Sequence, residues 1–177
     1  MKSLLNLFVI LTFGFVFGQQ NFQLADKNWE IDLPENYFQD ISIPMTESTE
    51  STDSQIVTII KKEDDSMNQL IAMYIKNDDL VKLTPAVYAQ SFSKSLPGFF
   101  EQDGLRVSTN EIELRKINGI SFYLISVSVS QDEEDYVYHL DFYLTEIGGK
   151  EFNVSLFYDN DEDKEALENS FFNSKFK

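Results

Sequence analysis

INGISFYLISVSVSQDEEDYVYHLDFYLTEIGGKEFNVSLFY, residues 117 to 158, reads as successive β-strands, and the joints between them decide the fold. Asn118-Gly119 is the dipeptide that a two-residue type I′ turn prefers, because both positions need positive φ. It joins a strand over Leu105 to Lys116 with one over Ile120 to Gln131, setting Leu114 opposite Tyr123 and Ile112 opposite Ile125. The acidic joint Asp132 to Asp135 pairs Gln131 with Tyr136, which brings Val129, Val127 and Ile125 against Tyr138, Leu140 and Phe142. At Ile147-Gly148-Gly149 a two-residue loop would mix apolar with polar positions. A three-residue loop with a glycine in the αL region matches Leu144, Phe142 and Leu140 to Phe152, Val154 and Leu156. The three-residue loop is the expectation, since a one-residue slip turns every side chain of the next strand to the other face.

Working outward, Trp29, Ile31 and Leu33 alternate with Glu30 and Asp32 until Pro34 ends a first strand. Residues 19 to 28 before it are polar and expected to be flexible. A short segment around Ile41 and Ile43 leads into MTESTESTDS, residues 45 to 54, a mobile loop with nothing to bury. QIVTIIKK and NQLIAMYIK, separated by EDDSM, form a hairpin with an acidic tip. In LTPAVYAQSFSKSLPGFF, Thr84 caps a helix, Pro85 occupies its first turn, and Tyr88, Phe92 and Leu96 give it an apolar face; Pro97 and Gly98 are expected to end it. The closing DNDEDKEALENSFFNSKFK loads acids into the first turn of a second helix, with Leu167 and Phe171 on one side. The fold class is α+β, an antiparallel sheet of about six or seven strands with helices packed on it. Residues 29 to 177 are expected to form one domain.

Residues 1 to 18, MKSLLNLFVILTFGFVFG, place Lys2 ahead of an uncharged run from Leu4 to Phe17 that is short for a bilayer span, the pattern of a secretory signal peptide. Val16 and Gly18 suit the positions before a cleavage site, so cleavage is expected before Gln19. The chain has no cysteine. Disulfides and a lipid-bearing cysteine are thereby excluded, and the expected destination is the periplasm or the medium, not as a lipoprotein, with no membrane span in the mature chain. The 30 Asp plus Glu against 14 Lys plus Arg give a net charge of -16, which phosphate backbones would repel. Nucleic acid is excluded as a partner, the nearest thing to a basic footprint being Lys61 and Lys62.

His139 is the sole histidine, and the register turns it with Asp141 and Tyr143 away from the apolar face. Ser128 lies opposite His139 and Ser126 opposite Asp141; Ser155 and Asn153 continue the row on the next strand. His139, Asp141, Tyr143, Ser126 and Ser155 are the candidate ligand-binding residues on this mixed face. Ser128, His139 and Asp141 also raise a serine hydrolase, but Asp141 lies about 7 Å along the strand from His139, too far for a direct orienting bond. No G-x-S-x-G elbow or oxyanion-donating helix start accompanies the serine. Asp159, Asp161 and Asp163 imitate the opening ligands of a calcium loop, yet Lys164 stands where that loop needs glycine and Ser170 where it needs glutamate. Helix capping accounts for those acids. One histidine without cysteine does not close a zinc site of the usual kind. No cofactor is expected.

The order W-x-I-x-L-P (Trp29 to Pro34), two strands, a helix opened by Thr84-Pro85, the INGISFYLI strand, a tyrosine-rich strand and a closing helix with Asn169-Ser170-Phe171 resembles the PsbP-like superfamily, including its DcrB-type periplasmic members. The resemblance implies an antiparallel sheet between helical layers, an α/β/α sandwich, and a role in binding or assembling other proteins. It supplies no functional residues to carry over. The expected function is an exported, non-enzymatic binding or assembly domain for a protein or small-molecule ligand. The alternatives are the hydrolase just described and a divalent-cation binder using the acidic tips.

Overall fold

The computed structural model describes residues 19–24, 27–40, 55–62, 67–76, 83–100, 105–131 and 137–177. The expected leader at 1 to 18, the tract at 45 to 54, residues 63 to 66 of the acidic hairpin tip and the joint at 132 to 135 lie outside the described residues. The elements in order are β1 (Gln19–Leu24), β2 (Lys27–Asp32), β3 (Tyr37–Asp40), β4 (Gln55–Lys61), β5 (Gln69–Ile75), α1 (Pro85–Phe100), β6 (Leu105–Thr109), β7 (Glu113–Ile117), β8 (Ile120–Gln131), β9 (Val137–Ile147), β10 (Lys150–Tyr158), α2 (Asp161–Phe172) and β11 (Lys175–Phe176). The main sheet runs β3-β4-β5-β10-β9-β8-β6, with β7 also on β8, and a small sheet runs β1-β2-β11. Every pairing in both sheets is antiparallel.

Local chemistry explains most of these boundaries. Asn118 (φ 46°) and Gly119 (φ 89°) make the expected tight turn, and Leu114 does face Tyr123. The β8–β9 register is the expected one, with Val129, Val127 and Ile125 opposite Tyr138, Leu140 and Phe142. Thr84 Oγ1 accepts from the Val87 amide at 3.4 Å and caps α1. Asn160 caps α2, its side chain accepting from the Asp163 amide at 2.9 Å.

The structure corrects several expectations. The β9–β10 joint is a two-residue turn with both glycines at positive φ, Gly148 at 60° and Gly149 at 79°, so Lys150 pairs with Ile147. Tyr158 therefore lies opposite His139, Leu156 opposite Asp141 and Val154 opposite Tyr143. Ser155 and Asn153 move to the other face of the sheet from His139. The slip is tolerated because both sheet faces are covered, so each can take an apolar row. The strand expected over Leu105 to Lys116 is two strands: Glu113 pairs with Leu124 while Thr109 pairs with Val127, so three residues oppose two, a bulge, and Ile112 packs in the layer that holds Ile125. Residues 19 to 24, expected to be flexible, pair with β2 as β1. A strand forms at Tyr37–Asp40, just ahead of the segment expected around Ile41 and Ile43, which is outside the described residues. The helix α1 continues through Pro97 to Phe100, because a proline in the last turn forfeits only one amide bond.

Two apolar layers result. Beneath α1, Ala89 and Leu96 meet Ile125, Val127, Val129, Leu140, Phe142 and Leu144, with Phe92 edge-on to Phe142 at 5.3 Å. On the opposite face α2 and the small sheet cover Phe122, Tyr143, Phe152, Val154 and Leu156; Trp29 and Phe171 seal it, Trp29 standing edge-on to Phe152 at 5.2 Å. The face read as mixed is thus the floor of the larger core.

Candidate functional site

His139 stands at the end of that floor where β9, β10 and the start of α2 converge. Its Nδ1 lies 3.0 Å from Ser128 Oγ on β8. Its ring stacks on Tyr158 with centroids 5.4 Å apart and planes 22° from parallel. Lys164 Nζ sits 5.4 Å from the centroid of the same tyrosine ring, so Tyr158 carries a cation as well as the imidazole. Together His139, Tyr158, Asp159, Asn160, Asp161 and Lys164 line an open hollow of about 430 Å³.

Of the residues singled out from the sequence, the structure brings Ser126, Ser128, His139, Asp141 and Tyr143 to one face and sends Ser155 to the other. Asp141 and Tyr143 are buried, 3% and 1% exposed, so only His139 among the ligand-binding candidates lines the hollow. Ser155 donates to Asn153 Oδ1 at 3.1 Å in the other layer. Asp141 does not orient the histidine. Its Oδ2 accepts from the Tyr158 hydroxyl at 2.9 Å. Burial first, then the Asp141 carboxylate, pushes the Tyr158 and Tyr143 phenols far above their ordinary range, so both stay protonated as donors. Tyr143 bonds Glu168 of α2; burial is the main reason the Glu168 carboxyl rises above its usual value, with the Asp141 charge adding to it.

Of the three acids that imitate a calcium loop, Asp159 and Asp163 are held by protein donors, and Asp161 is exposed on the hollow. Asp163 accepts from Tyr37 at 2.7 Å, Lys61 at 2.9 Å, Asn68 at 2.9 Å and Asn160 at 2.8 Å. Burial is the largest influence on its carboxyl and pushes it up, but the bonds from Asn160, Lys61 and Tyr37 together bring it below the ordinary value. Asp159 accepts from Asn68 at 3.0 Å and Asn160 at 2.7 Å. Among the described residues no three metal-ligating side chains gather.

Tyr158, Asn160 and Lys164 are the site residues that sequence reasoning missed. The signal was present in Gly148-Gly149, which suits the same positive-φ turn as Asn118-Gly119 and would have set Tyr158 against His139.

No family model matches the chain, and no curated protein does. Solved structures do. Cyanobacterial PsbP (CyanoP) from Synechocystis sp. PCC 6803 superposes with a TM-score of 0.53 at 15% identity over 88% of each chain. LpqN, involved in cell envelope biogenesis of Mycobacterium tuberculosis, gives 0.51 at 14% identity over 90% of this chain and 91% of that one. The chain has the PsbP-like α+β fold: an antiparallel sheet with two helices packed on it. Among the described residues no helix is long and apolar enough to cross a membrane.

Proposed function

We propose that the chain is an exported, non-enzymatic binding or assembly domain that receives its partner at the hollow beside His139. The observation that carries this reading is the attachment of Asp141 to Tyr158. It leaves the Ser128–His139 pair without the carboxylate that would orient an imidazole for general-base work. What remains is an open concavity with an aromatic floor and charges of both signs, chemistry suited to holding a ligand. The fold shared with CyanoP and LpqN supports the reading, and the apolar leader supports export.

A photocrosslinking side chain placed at Lys164, on the hollow, and at Lys94, on exposed α1, tests it in a host that exports the protein. A discrete adduct from position 164, absent from position 94 and lost on Asp161→Lys, is expected. Equal adducts from both positions would contradict a binding site at the hollow.

A further inference from the structure

The first residue of β1 carries an inference about covalent modification. Gln19 is exposed and forms the outermost pair of the β1–β2 ladder, opposite Asp32. Its side-chain amide lies on the surface, with Nε2 3.3 Å from Glu30 Oε2. In the leader reading, cleavage after Gly18 frees the α-amine of this same glutamine. An N-terminal glutamine holds an amine and a carboxamide at the separation that closes an unstrained lactam. We propose that Gln19 is a modification site, cyclised to pyroglutamate once the leader is removed.

The step balances within the residue. The α-nitrogen attacks the side-chain Cδ, the new C–N bond forms as the Cδ–Nε2 bond breaks, and Nε2 departs as ammonia with a proton from the α-amine. No oxidant, reductant or second substrate is needed. The position tolerates the product: the ring sits at the open end of a ladder, and closing it gives up only the long amide contact to Glu30. Cyclisation also removes the α-ammonium charge from a strongly acidic chain, leaving an amino end without the amine that aminopeptidases grip. The small sheet gives this end something to protect, since the β1 ladder runs unbroken from Gln19↔Asp32 to Leu24↔Lys27.

The inference rests on the export reading, because only cleavage before Gln19 supplies the amine. The test uses the full chain produced in an exporting host and analysed freshly isolated, by mass spectrometry of the N-terminal peptide and by Edman degradation. Expected is a peptide beginning at residue 19, lighter by one ammonia, and refractory to Edman chemistry until pyroglutamyl aminopeptidase exposes Gln20-Asn21. The Gln19→Ser variant should instead read from Ser directly. A wild-type chain beginning at residue 19 with a free amine overturns the cyclisation and leaves export standing. A chain that keeps residues 1 to 18, or begins elsewhere, overturns the leader reading and the proposal with it.

Discussion

His139 and Phe142 share β9 but face opposite layers, and substitution should separate them. Phe142 is 9% exposed in the layer beneath α1, so Phe142→Ala is expected to cost roughly 3 to 5 kcal/mol in denaturant melts. His139→Ala, on the rim of the hollow, should cost about 1 kcal/mol or less, the scale of one hydrogen bond to Ser128. A larger loss at His139 than at Phe142 would mean that the histidine supports the core. Two carboxyls give stability opposite pH dependences. Asp163 has a folded value below its ordinary 3.8, so its contribution is present above that pH and disappears as pH falls through the folded value. Glu168 has a folded value above its ordinary 4.5, so the folded state holds the extra proton and stability declines as pH rises from 4.5 through the folded value. Melting midpoints of Asp163→Asn should lose the acid-side slope, and those of Glu168→Gln the decline above pH 4.5. Unchanged profiles in both variants would contradict the assigned partners. Asp163→Ala should also lower stability at neutral pH by about 3 kcal/mol, since it strips partners from buried Tyr37 and Asn68 and from Lys61.

At the scale of elements, the turns were legible wherever one local rule acted alone. Asn118-Gly119 fixed its hairpin, the apolar row of β8 fixed β9, and the acids at Asp161 to Asp163 marked the first turn of α2, whose cap Asn160 the structure adds. Gly148-Gly149 misled because matching apolar rows assumes one buried face, while β10 is buried on both, from Phe152, Val154 and Leu156 on one side to Asn153 and Ser155 on the other. The strands β1 and β11 left little signal: β1 is short and mostly polar, and β11 is two residues long, although its Phe176 packs on Trp29, Phe122 and Phe152. The placement of Ser155 failed with the register, and the hollow was invisible because Tyr158 and Lys164 reach His139 only through it. Deleting Gly149 would leave Ile147-Gly148 as the two-residue loop, pair Glu146 with Lys150 in place of Ile147, and turn Asn153 and Ser155 toward Trp29 and Phe171. A loss on the order of 4 kcal/mol in urea unfolding is expected. A deletion without effect would show that the register is not set at this turn.

At the scale of the molecule, α1 closes one side of the sheet and α2 with the small sheet closes the other, leaving the Ser128–His139 pair at an open corner where Asp141 bonds Tyr158 and not the imidazole. A serine there is a hydrogen-bond partner for the imidazole; attack on a carbonyl would also need donors aimed at the developing oxyanion, and Ser128 lies in mid-strand rather than ahead of a helix start. In the proposed function this corner binds a partner and performs no acyl transfer. Treating the folded protein and its Ser128→Ala variant with a fluorophosphonate probe measures this directly. A binding corner gives no labelling of either above the level of denatured protein, whereas stoichiometric labelling of the wild type that vanishes in Ser128→Ala would contradict the proposed function.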